Sequence, residues 1–327
     1  MITIILPTYN RLALLQKAIE SCMSQTVKMF DLLIIDNCSS DGTQEYLKNL
    51  NLNDIKLTII INEKNIGPKL SLEKAINAST SRWITILSDD DYFEDNFIEE
   101  SLHILKTTKK GIISVGFRMI DASNNTLKTF LFNRQTLDAS EAIIKTLNFT
   151  NTIAGISGFF FLNKNIDLKD YPRGFFGDMY LYIKCMLEYD GLEVINKILY
   201  NKLQWENNES AFSIDNWKLF FEASILFHND LEAFSKNYKL NKLAEMLMTN
   251  KIPIKVFLRA FILPIFFRGI MTFTDLKDIK SIVLRNDNTY MKYYLIFVIF
   301  YPFLTKHSLK IRRNLYKILK YFLKSQK

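Results

Sequence analysis

Residues 84–91 read Ile-Thr-Ile-Leu-Ser-Asp-Asp-Asp, a short apolar run that ends in three consecutive carboxylates. The apolar run is bounded by polar residues, which is typical of a buried strand. Carboxylates at the point where a buried strand emerges are costly unless a cation compensates them, and hard divalent cations prefer oxygen ligands. Taken alone, the stretch predicts either a cation site or a solvated acidic turn between a strand and a helix.

The first 90 residues alternate strand patterns with helix patterns. Apolar runs at 2–6, 32–35, 57–61 and 83–87 have strand composition, and the segments between them have helical spacing. This alternation predicts an α/β fold with a mainly parallel sheet and helices on its faces. In such sheets, ligands bind beyond the carboxyl ends of the strands.

Polar residues follow each of the four predicted strands. These segments are 7–11 after the first strand, 36–43 after the second, 62–69 after the third and 89–91 after the fourth. Each segment alone is explained by a turn or a helix cap, as Asp41-Gly42 illustrates. Four such segments at one edge of a sheet instead predict a single cleft. The chain has no glycine-rich dinucleotide or P-loop motif, which removes the usual sequence evidence for those sites.

The length allows two domains or one large domain with an appendage. The 327 residues are enough for a catalytic domain over 1–205 and a second, wholly helical region over 206–327, with a boundary near Trp205. The three cysteines and three histidines are scattered, which argues for a reducing compartment and against a disulfide framework or a zinc site. No signal peptide or membrane-spanning stretch is recognisable, so we expect a cytoplasmic protein.

The net charge of +8 comes from the C-terminal tail. Residues 306–327 contain eight Lys or Arg and no Asp or Glu, so the rest of the chain is balanced. Because the rest of the chain is electrically neutral and the tail has no interleaved recognition residues, the charge pattern argues against nucleic-acid binding. Within the tail, apolar residues recur between Leu309 and Lys324 at mostly three- and four-residue steps, which predicts a basic amphipathic helix. This helix is expected either to attach to an anionic membrane surface or to pack on the protein's own core.

Four elements recur in a fixed order over roughly residues 2–100: Ile5-Leu6-Pro7-Thr8-Tyr9-Asn10-Arg11, Ile35-Asp36-Asn37-Cys38-Ser39-Ser40-Asp41-Gly42-Thr43, Asn65-x-Gly67, and the acidic triplet followed by Asp95-Asn96-Phe97-Ile98. In these elements the N-terminal two-thirds of the chain resembles the family 2 inverting glycosyltransferases of GT-A (nucleotide-diphospho-sugar transferase) fold. The resemblance is to bacterial O-antigen and capsular polysaccharide transferases. It implies a nucleotide-sugar donor (UDP-sugar foremost), Mg²⁺ or Mn²⁺, and a glycan or lipid-linked oligosaccharide acceptor.

The resemblance also implies roles for individual residues. Asp178 would be the general base, and Asp90 with Asp91 beside it would hold the metal. The base of the donor would contact Thr8, Tyr9 and Asp36, with Arg11 at the diphosphate and Asp89 near the ribose. The implied nucleotide-sugar-binding residues are Pro7, Thr8, Tyr9, Arg11, Asp36, Asn65, Gly67, Lys69 and Asp89.

Several positions depart from the pattern of the resembled family. Ser88 stands where the family often has Asp, which leaves open which of residues 89–91 binds metal. Ser71-Leu72-Glu73 replaces a common Ala-Arg-Asn, so Lys69 either takes over a phosphate contact or is a solvated lysine. Asp178 has a simpler interpretation as a first-turn charge of a helix. The alternative function is a non-catalytic scaffold of the same fold at the membrane surface.

Overall fold

A computed structural model of the chain describes residues 1–133, 135–147, 156–163 and 177–204. The described strands are β1 (Ile2–Thr8), β2 (Asp31–Asp36), β3 (Leu57–Ile61), β4 (Trp83–Ile86), β5 (Asp91–Phe93), β6 (Ile112–Ile120), β7 (Thr126–Phe130), β8 (Gln135–Leu137), β9 (Phe159–Leu162) and β10 (Leu192–Leu203). The described helices are α1 (Leu12–Met23), α2 (Thr43–Asn49), α3 (Gly67–Ala78), α4 (Phe97–Thr107), α5 (Ala139–Leu147) and α6 (Gly177–Glu188).

The described strands form one sheet in the spatial order β3-β2-β1-β4-β9-β6-β10-β5, with β7 beside β6 and β8 beside β10. The first four strands along the chain pair in parallel, and so do β6 and β10. Strand β9 joins the two parallel groups through antiparallel pairs with β4 and β6. The predicted α/β fold with its parallel sheet is confirmed. The antiparallel pairs come from the middle of the chain, where the sequence indicated only mixed apolar runs.

An apolar run explains why β1 lies in the interior of the sheet, between β2 and β4. Ile4, Ile5 and Leu6 of β1 are all completely buried, as a parallel strand covered on both faces requires. Helix α1 presents Leu15 and Ile19 to the interior at a four-residue spacing. The rigid centre of the sheet holds the carboxyl ends of β1, β2 and β4, where the polar segments begin.

An aromatic cluster fixes β5, the strand that begins with the last residue of the acidic triplet. Phe97, at the start of α4, stacks on Phe93 of β5 with ring centroids 3.8 Å apart. The same ring stacks on Phe160 of β9 at 4.9 Å. Such pairs contribute about 0.5–1.5 kcal/mol beyond the burial of their area, so β5 is held firmly against the sheet.

Contacts divide the chain into two compact units, the first of which comprises residues 1–173 and 177–205. The region 206–327, including the basic tail at 306–327, lies outside the described residues, so the two-domain division stays a prediction. None of the described helices is both long and apolar enough to cross a membrane. Cys22, Cys38 and Cys185 are free thiols.

Candidate functional site

The carboxyl ends of β1, β2 and β3 lie side by side at one edge of the sheet. Thr8 pairs in register with Asp36, and Asp36 pairs with Ile61. The ladder continues for one residue, since the Asn37 N–H donates to the Thr8 carbonyl at 3.0 Å and the Asn62 N–H donates to the Asp36 carbonyl at 2.9 Å. The polar residues that follow these strands are therefore aligned across the edge.

Reciprocal hydrogen bonds hold together the loops that follow β1 and β2. The Asn10 N–H donates to Ser39 Oγ at 2.8 Å, and the Ser40 N–H donates to Asn10 Oδ1 at 2.7 Å. Asn10 (φ 52°) and Cys38 (φ 70°) have left-handed backbone conformations, which cost energy in residues other than glycine. The hydrogen bonds between the loops offset that cost and define the conformation of both.

The Asp36 carboxylate is fully buried and accepts hydrogen bonds from Ser39. Its Oδ2 accepts from Ser39 N at 3.0 Å, and its Oδ1 accepts from the Ser39 hydroxyl. A buried carboxylate needs such donors because desolvation without them is costly. Ser39 therefore supplies a donor to each oxygen of the buried Asp36 carboxylate.

Asp41 caps two helices at once. Its Oδ2 accepts from the N–H of Leu12, the first residue of α1, at 2.9 Å. Its Oδ1 accepts from the N–H and hydroxyl of Thr43, the first residue of α2, at 3.2 and 2.6 Å. Burial alone would raise the pKa of Asp41, but the hydrogen bonds from Thr43 and Leu12 outweigh it, and the pKa lies below its usual value. Asp41 thereby fixes the start of α1 directly after Arg11.

We expect Asp41→Ala to lower the free energy of unfolding by about 1–2 kcal/mol, because both helices lose a cap. Because the folded-state pKa is depressed, the stabilisation is present at neutral pH and is lost as the pH falls through that pKa. The difference between variant and wild type should therefore shrink in acid. Urea unfolding followed by circular dichroism measures the difference in the free energy of unfolding. Asp54→Ala is the control for loss of an exposed negative charge. Equal stability of Asp41→Ala and wild type at neutral pH would contradict the capping role.

The first carboxylate of the acidic triplet, Asp89, is buried and joins the ends of β1 and β4. Its Oδ2 accepts from Thr8 Oγ1 at 2.9 Å, and its Oδ1 accepts from Arg11 Nη1 at 2.8 Å. Burial raises the pKa of Asp89, the Arg11 guanidinium opposes that shift, and the charge of Asp90 adds to it. Both oxygens are thus engaged by residues at the end of β1.

Asp90 is the least buried carboxylate of the triplet. Its side chain is 13% exposed against 6% for Asp89, and Asp91 is buried. Its Oδ1 accepts from Ser88 Oγ at 2.6 Å, and its Oδ2 lies 3.5 Å from Arg11 Nη1. The serine that departs from the family pattern therefore orients the neighbouring carboxylate.

The third carboxylate, Asp91, is the first residue of β5 and is buried against β10. Its Oδ1 accepts from the Leu203 N–H at 3.2 Å, and it has a hydrogen bond with the Ser157 side chain. Burial raises the pKa of Asp91 to about 7, and the charge of Asp90 adds to the effect. Metal binding to this carboxyl would have to displace its proton and would therefore depend on pH.

In metal-free buffer, Asp91 should make the folded protein less stable as the pH rises towards neutrality. Because its folded-state pKa is raised, the stabilisation is complete below the unfolded pKa of about 4 and is lost as the pH rises through about 7. This group alone should lower the free energy of unfolding by up to about 1.4 kcal/mol per pH unit. Asp91→Asn, which keeps an acceptor for Leu203, should show a flatter dependence in urea melts across that interval. Parallel curves for variant and wild type would contradict the raised pKa.

Three asparagines form a connected amide network at the ends of β2 and β3 and the start of α3. Asn62 Nδ2 donates to Asn37 Oδ1 at 3.2 Å, and Asn37 Nδ2 donates to Asn65 Oδ1 at 2.8 Å. The N–H groups of Ile66 and Gly67 donate to Asn37 Oδ1 and Asn65 Oδ1 at 3.0 and 2.9 Å. Since a backbone N–H can only donate, it fixes which end of each amide faces it. The network holds the turn at 65–67 against the end of β2.

Helix α3 places Lys74 next to this network. Lys74 Nζ donates to Asn62 Oδ1 at 2.9 Å, and Asn62 Nδ2 donates to Ser71 Oγ at 3.2 Å. Leu72, at the position where the resembled sequences often carry Arg, is buried. Lys69 lies in the first turn of α3 and is half-buried. Lys74 therefore places a cation in contact with the network.

A cavity of about 240 Å³ lies beside the second and third carboxylates of the triplet. The Tyr92 hydroxyl, on one side of it, donates to Asn124 Oδ1 at 3.0 Å. The residues that line it are Leu14, Lys17, Asp90, Asp91, Tyr92, Ala122, Asn124 and Leu203. A molecule in this cavity would contact the acidic triplet directly.

A family model described as "Glycosyl transferase family 2" matches residues 3–170, just over half of the chain. The chain belongs to glycosyl transferase family 2. The matched span contains the ends of β1 and β2, the amide network and the acidic triplet, so the resemblance seen in the sequence is confirmed.

Curated glycosyltransferases are similar to part of this family 2 chain. The putative teichuronic acid biosynthesis glycosyltransferase TuaG of Bacillus subtilis is 22% identical over 147 residues, 45% of this chain and 58% of that protein. The GalNAc(5)-diNAcBac-PP-undecaprenol beta-1,3-glucosyltransferase of Campylobacter jejuni is 32% identical over 91 residues, 28% of this chain and 29% of that protein. The putative colanic acid biosynthesis glycosyl transferase WcaA of Escherichia coli K12 is 33% identical over 96 residues, 29% of this chain and 34% of that protein. The matches thus span less than two thirds of each relative.

Solved structures of S. aureus TarS share the fold. One matches with a TM-score of 0.60 and 17% identity over 85% of this chain and 47% of that chain. A second, of TarS 1–349 in complex with UDP, matches with a TM-score of 0.59 and 15% identity over 84% of this chain and 76% of that chain. The likeness confirms the GT-A fold expected from the sequence.

The structure brings together several of the residues that the sequence singled out. Thr8, Arg11, Asp89 and Asp90 form one hydrogen-bonded cluster. Pro7 precedes Thr8 in β1. The remaining residues at the same edge of the sheet, as described above, are Asp36, Asn65, Gly67 and Lys69.

Two predicted site residues stand apart from this cluster. Tyr9 has no hydrogen-bonding role in the cluster and is 44% exposed. Asp178 is the second residue of α6, and its side chain lies outside the described residues, so its role as a base stays a prediction.

Sequence reasoning did not include Asn37 and Asn62 of the amide network, or the adjacent Lys74, among the site residues. Asn37 and Asn62 each directly follow a strand, and that position is the signal that marks them. Lys74 carries no local signal, because its contact with Asn62 depends on how α3 packs on the sheet.

The described residues fit a divalent cation that is held largely by substrate. No group of three or more His, Cys, Asp or Glu side chains in the described part of the chain is placed to bind a metal. Mg²⁺ commonly takes one or two carboxylates and completes its coordination with phosphate oxygens and water. Asp90, least buried and oriented by Ser88, fits such a site. Both oxygens of Asp89 are engaged by Thr8 and Arg11, and a role of Asp91 as a second metal ligand stays a prediction.

Proposed function

We propose that this family 2 chain is a metal-dependent, inverting glycosyltransferase that moves a sugar from a nucleotide-sugar donor to a glycan acceptor. The observation that carries the proposal is the contact of Arg11 with Asp89 and Asp90 at the ends of β1 and β4. This cluster offers a guanidinium for phosphate oxygens and a carboxylate for a divalent cation in one cleft. Membership of the family supplies the reaction class.

The donor's nucleoside is proposed to bind across the ends of β1 and β2. The exposed side chain of Tyr9 offers a stacking surface for the base, and Thr8 and Asp36, which pair in register at the ends of β1 and β2, would contact the same base. The turn at 65–67, held by the amide network, would contact the same nucleoside. We propose UDP as the nucleotide, a choice supported by the similar fold of TarS, which was solved with UDP.

The diphosphate is proposed to lie between Arg11 and Lys69, with Asp90 holding Mg²⁺ or Mn²⁺ beside it. When bound, the cation neutralises charge that develops on the departing nucleoside diphosphate. Arg11 adds a guanidinium matched to phosphate oxygens. Asp89, fixed by Thr8, keeps the end of β1 next to the ribose and the diphosphate.

Transfer is proposed to proceed by a single displacement with Asp178 as the general base. Asp178 would take the proton from the acceptor hydroxyl, whose oxygen attacks the anomeric carbon. The bond from that carbon to the diphosphate oxygen breaks, and its electron pair leaves with the nucleoside diphosphate, so the anomeric configuration inverts. A carboxylate in the first turn of α6 is stabilised in its ionised form by the helix dipole, as a base requires.

The acceptor is proposed to be a lipid-linked glycan of a bacterial surface polysaccharide. The names of the relatives, teichuronic acid and colanic acid biosynthesis and an undecaprenol-linked acceptor, support this class. The basic tail at 306–327 would hold the enzyme peripherally on the inner face of the cytoplasmic membrane, where such acceptors are presented.

A binding screen tests the proposed function. Thermal unfolding and titration calorimetry with UDP, GDP, dTDP and CDP should show one preferred nucleotide whose binding needs Mg²⁺ or Mn²⁺ and disappears with EDTA. Adenosine is the control for non-specific binding of a nucleoside. Absence of binding to every nucleoside diphosphate with either metal would contradict the function.

A further inference from the structure

The guanidinium of Arg11 forms ion pairs with two carboxylates of the candidate site. Its Nη1 lies 2.8 Å from Asp89 Oδ1 and 3.5 Å from Asp90 Oδ2. We propose that Arg11 is the counter-cation of Asp90 in the free protein and turns to the diphosphate in the donor complex, which makes binding of the divalent cation depend on binding of the nucleotide. This inference rests on the proposed function and adds a positioning and coupling role for one residue.

The backbone of Arg11 is fixed at the start of α1, whereas the end of its side chain is partly exposed. The Arg11 carbonyl accepts from the N–H groups of Leu14 and Leu15 at 3.1 and 2.9 Å, which locks the backbone at the start of α1. The side chain is 32% exposed, in contrast to the 6% exposure of Asp89. A change of ligand can therefore shift the guanidinium between neighbouring anions without moving the helix.

The surroundings of Asp90 direct one of its oxygens towards Arg11. Ser88 Oγ donates to Oδ1 at 2.6 Å, so Oδ2 is the oxygen that Arg11 approaches. A positive charge 3.5 Å from Oδ2 repels a second cation at the same oxygen, and partial burial of the site limits solvent screening. The free protein should therefore bind a divalent cation weakly.

A nucleoside diphosphate changes this balance in two ways. Its phosphate oxygens match the planar fork of the guanidinium and draw Arg11 away from Asp90. The same oxygens also provide ligands for the cation. The coupling must act equally in both directions, so that Mn²⁺ tightens UDP binding by the factor by which UDP tightens Mn²⁺ binding.

A purely structural ion pair would behave differently. If Arg11 served only to neutralise the buried Asp89, its removal would lower stability and would leave the affinity for Mn²⁺ in the free protein unchanged or reduced. The affinity for Mn²⁺ in the absence of nucleotide is therefore the deciding measurement.

The experiment titrates the full chain with Mn²⁺, with and without UDP, and follows free Mn²⁺ by electron paramagnetic resonance. Arg11→Met should bind Mn²⁺ alone about tenfold more tightly than wild type, and the enhancement by UDP should shrink by a similar factor. Arg11→Lys, which keeps the charge, should stay close to wild type. Lys17→Met, which removes one positive charge from the wall of the cavity that contains Asp90, is the matched control and should leave the UDP enhancement in place.

A second variant tests the same coupling in case Arg11→Met fails to fold. The double variant Arg11→Met/Asp89→Asn also removes the buried charge that Arg11 neutralises, and it should show the same tighter Mn²⁺ binding. Unchanged or weaker Mn²⁺ binding by both variants, with a wild type that binds UDP and Mn²⁺, would overturn the coupling role alone. A wild type that binds neither ligand would overturn the proposed function together with this inference.

Discussion

Asp90→Ala should abolish metal-dependent binding of UDP. The carboxylate is the least buried of the triplet and the one best placed to hold a cation beside the diphosphate. Without it, the negative charge of the diphosphate is left largely uncompensated, which should cost on the order of 3 kcal/mol, or about a hundredfold in Kd. Calorimetric titration with UDP in Mn²⁺ and in EDTA measures the loss, since the two values should become equal in the variant.

Neighbouring carboxylates provide the controls for this prediction. Asp90→Asn keeps the volume and the hydrogen bond from Ser88 and should lose binding as severely as Asp90→Ala, because the charge is what matters. Asp91→Asn should retain metal-dependent binding, since Asp91 is buried and already accepts from Leu203. If Asp90→Ala keeps its metal dependence while Asp91→Asn loses it, the ligand role belongs to Asp91.

The parallel part of the fold could be predicted from the sequence because its signals are local. The apolar runs at 2–6, 32–35, 57–61 and 83–87 correspond to β1, β2, β3 and β4. Each of these strands is a short buried segment bounded by polar residues, and a window of a few residues contains that information. The edge at which their polar ends meet follows from parallel pairing alone.

The different environments of the three adjacent carboxylates could not be predicted, because distant residues create them. Asp89 is engaged by Thr8 and Arg11, which precede it by 81 and 78 residues. Asp91 is engaged by Leu203, which follows it by 112 residues. In the sequence the triplet is three equivalent letters, whereas the fold engages Asp89 with Thr8 and Arg11, leaves Asp90 the least buried of the three, and raises the pKa of the buried Asp91.

The second half of the sheet illustrates the same limit. Strands β6 and β10 form a long parallel pair whose register shifts between Ile195 and Ile198 and again before Tyr200. Irregularities of this kind interrupt the alternation of apolar and polar residues on which strand prediction depends. The sequence accordingly indicated apolar runs in this region without the order of its strands.

The prediction for Asp178 follows from its place at the start of α6, the second residue of that helix. Asp178→Asn should leave UDP affinity nearly unchanged and lower turnover by roughly 10²- to 10⁴-fold, the usual effect of losing a general base. The amide has almost the shape of the carboxylate, so the helix should keep its start, but it cannot accept the proton of the acceptor hydroxyl. A first-turn charge that only stabilises the helix would behave in the opposite way, with reduced stability and little change in turnover.

The measurement for Asp178 separates these outcomes by combining binding, stability and turnover in one set of proteins. Transfer of radiolabelled sugar from the preferred donor to membrane lipid extract reports turnover, and calorimetry with UDP and Mn²⁺ reports donor binding. Glu188→Gln, which removes an exposed carboxylate from the opposite end of the same helix, is the matched control and should transfer sugar like wild type.

Full turnover by Asp178→Asn would exclude a base role for this residue. Loss of UDP binding by Asp178→Asn would show instead that the start of α6 supports the donor site. Only unchanged UDP binding together with a large fall in turnover would assign the role of general base to Asp178. The reason is that donor binding is complete before the acceptor hydroxyl loses its proton.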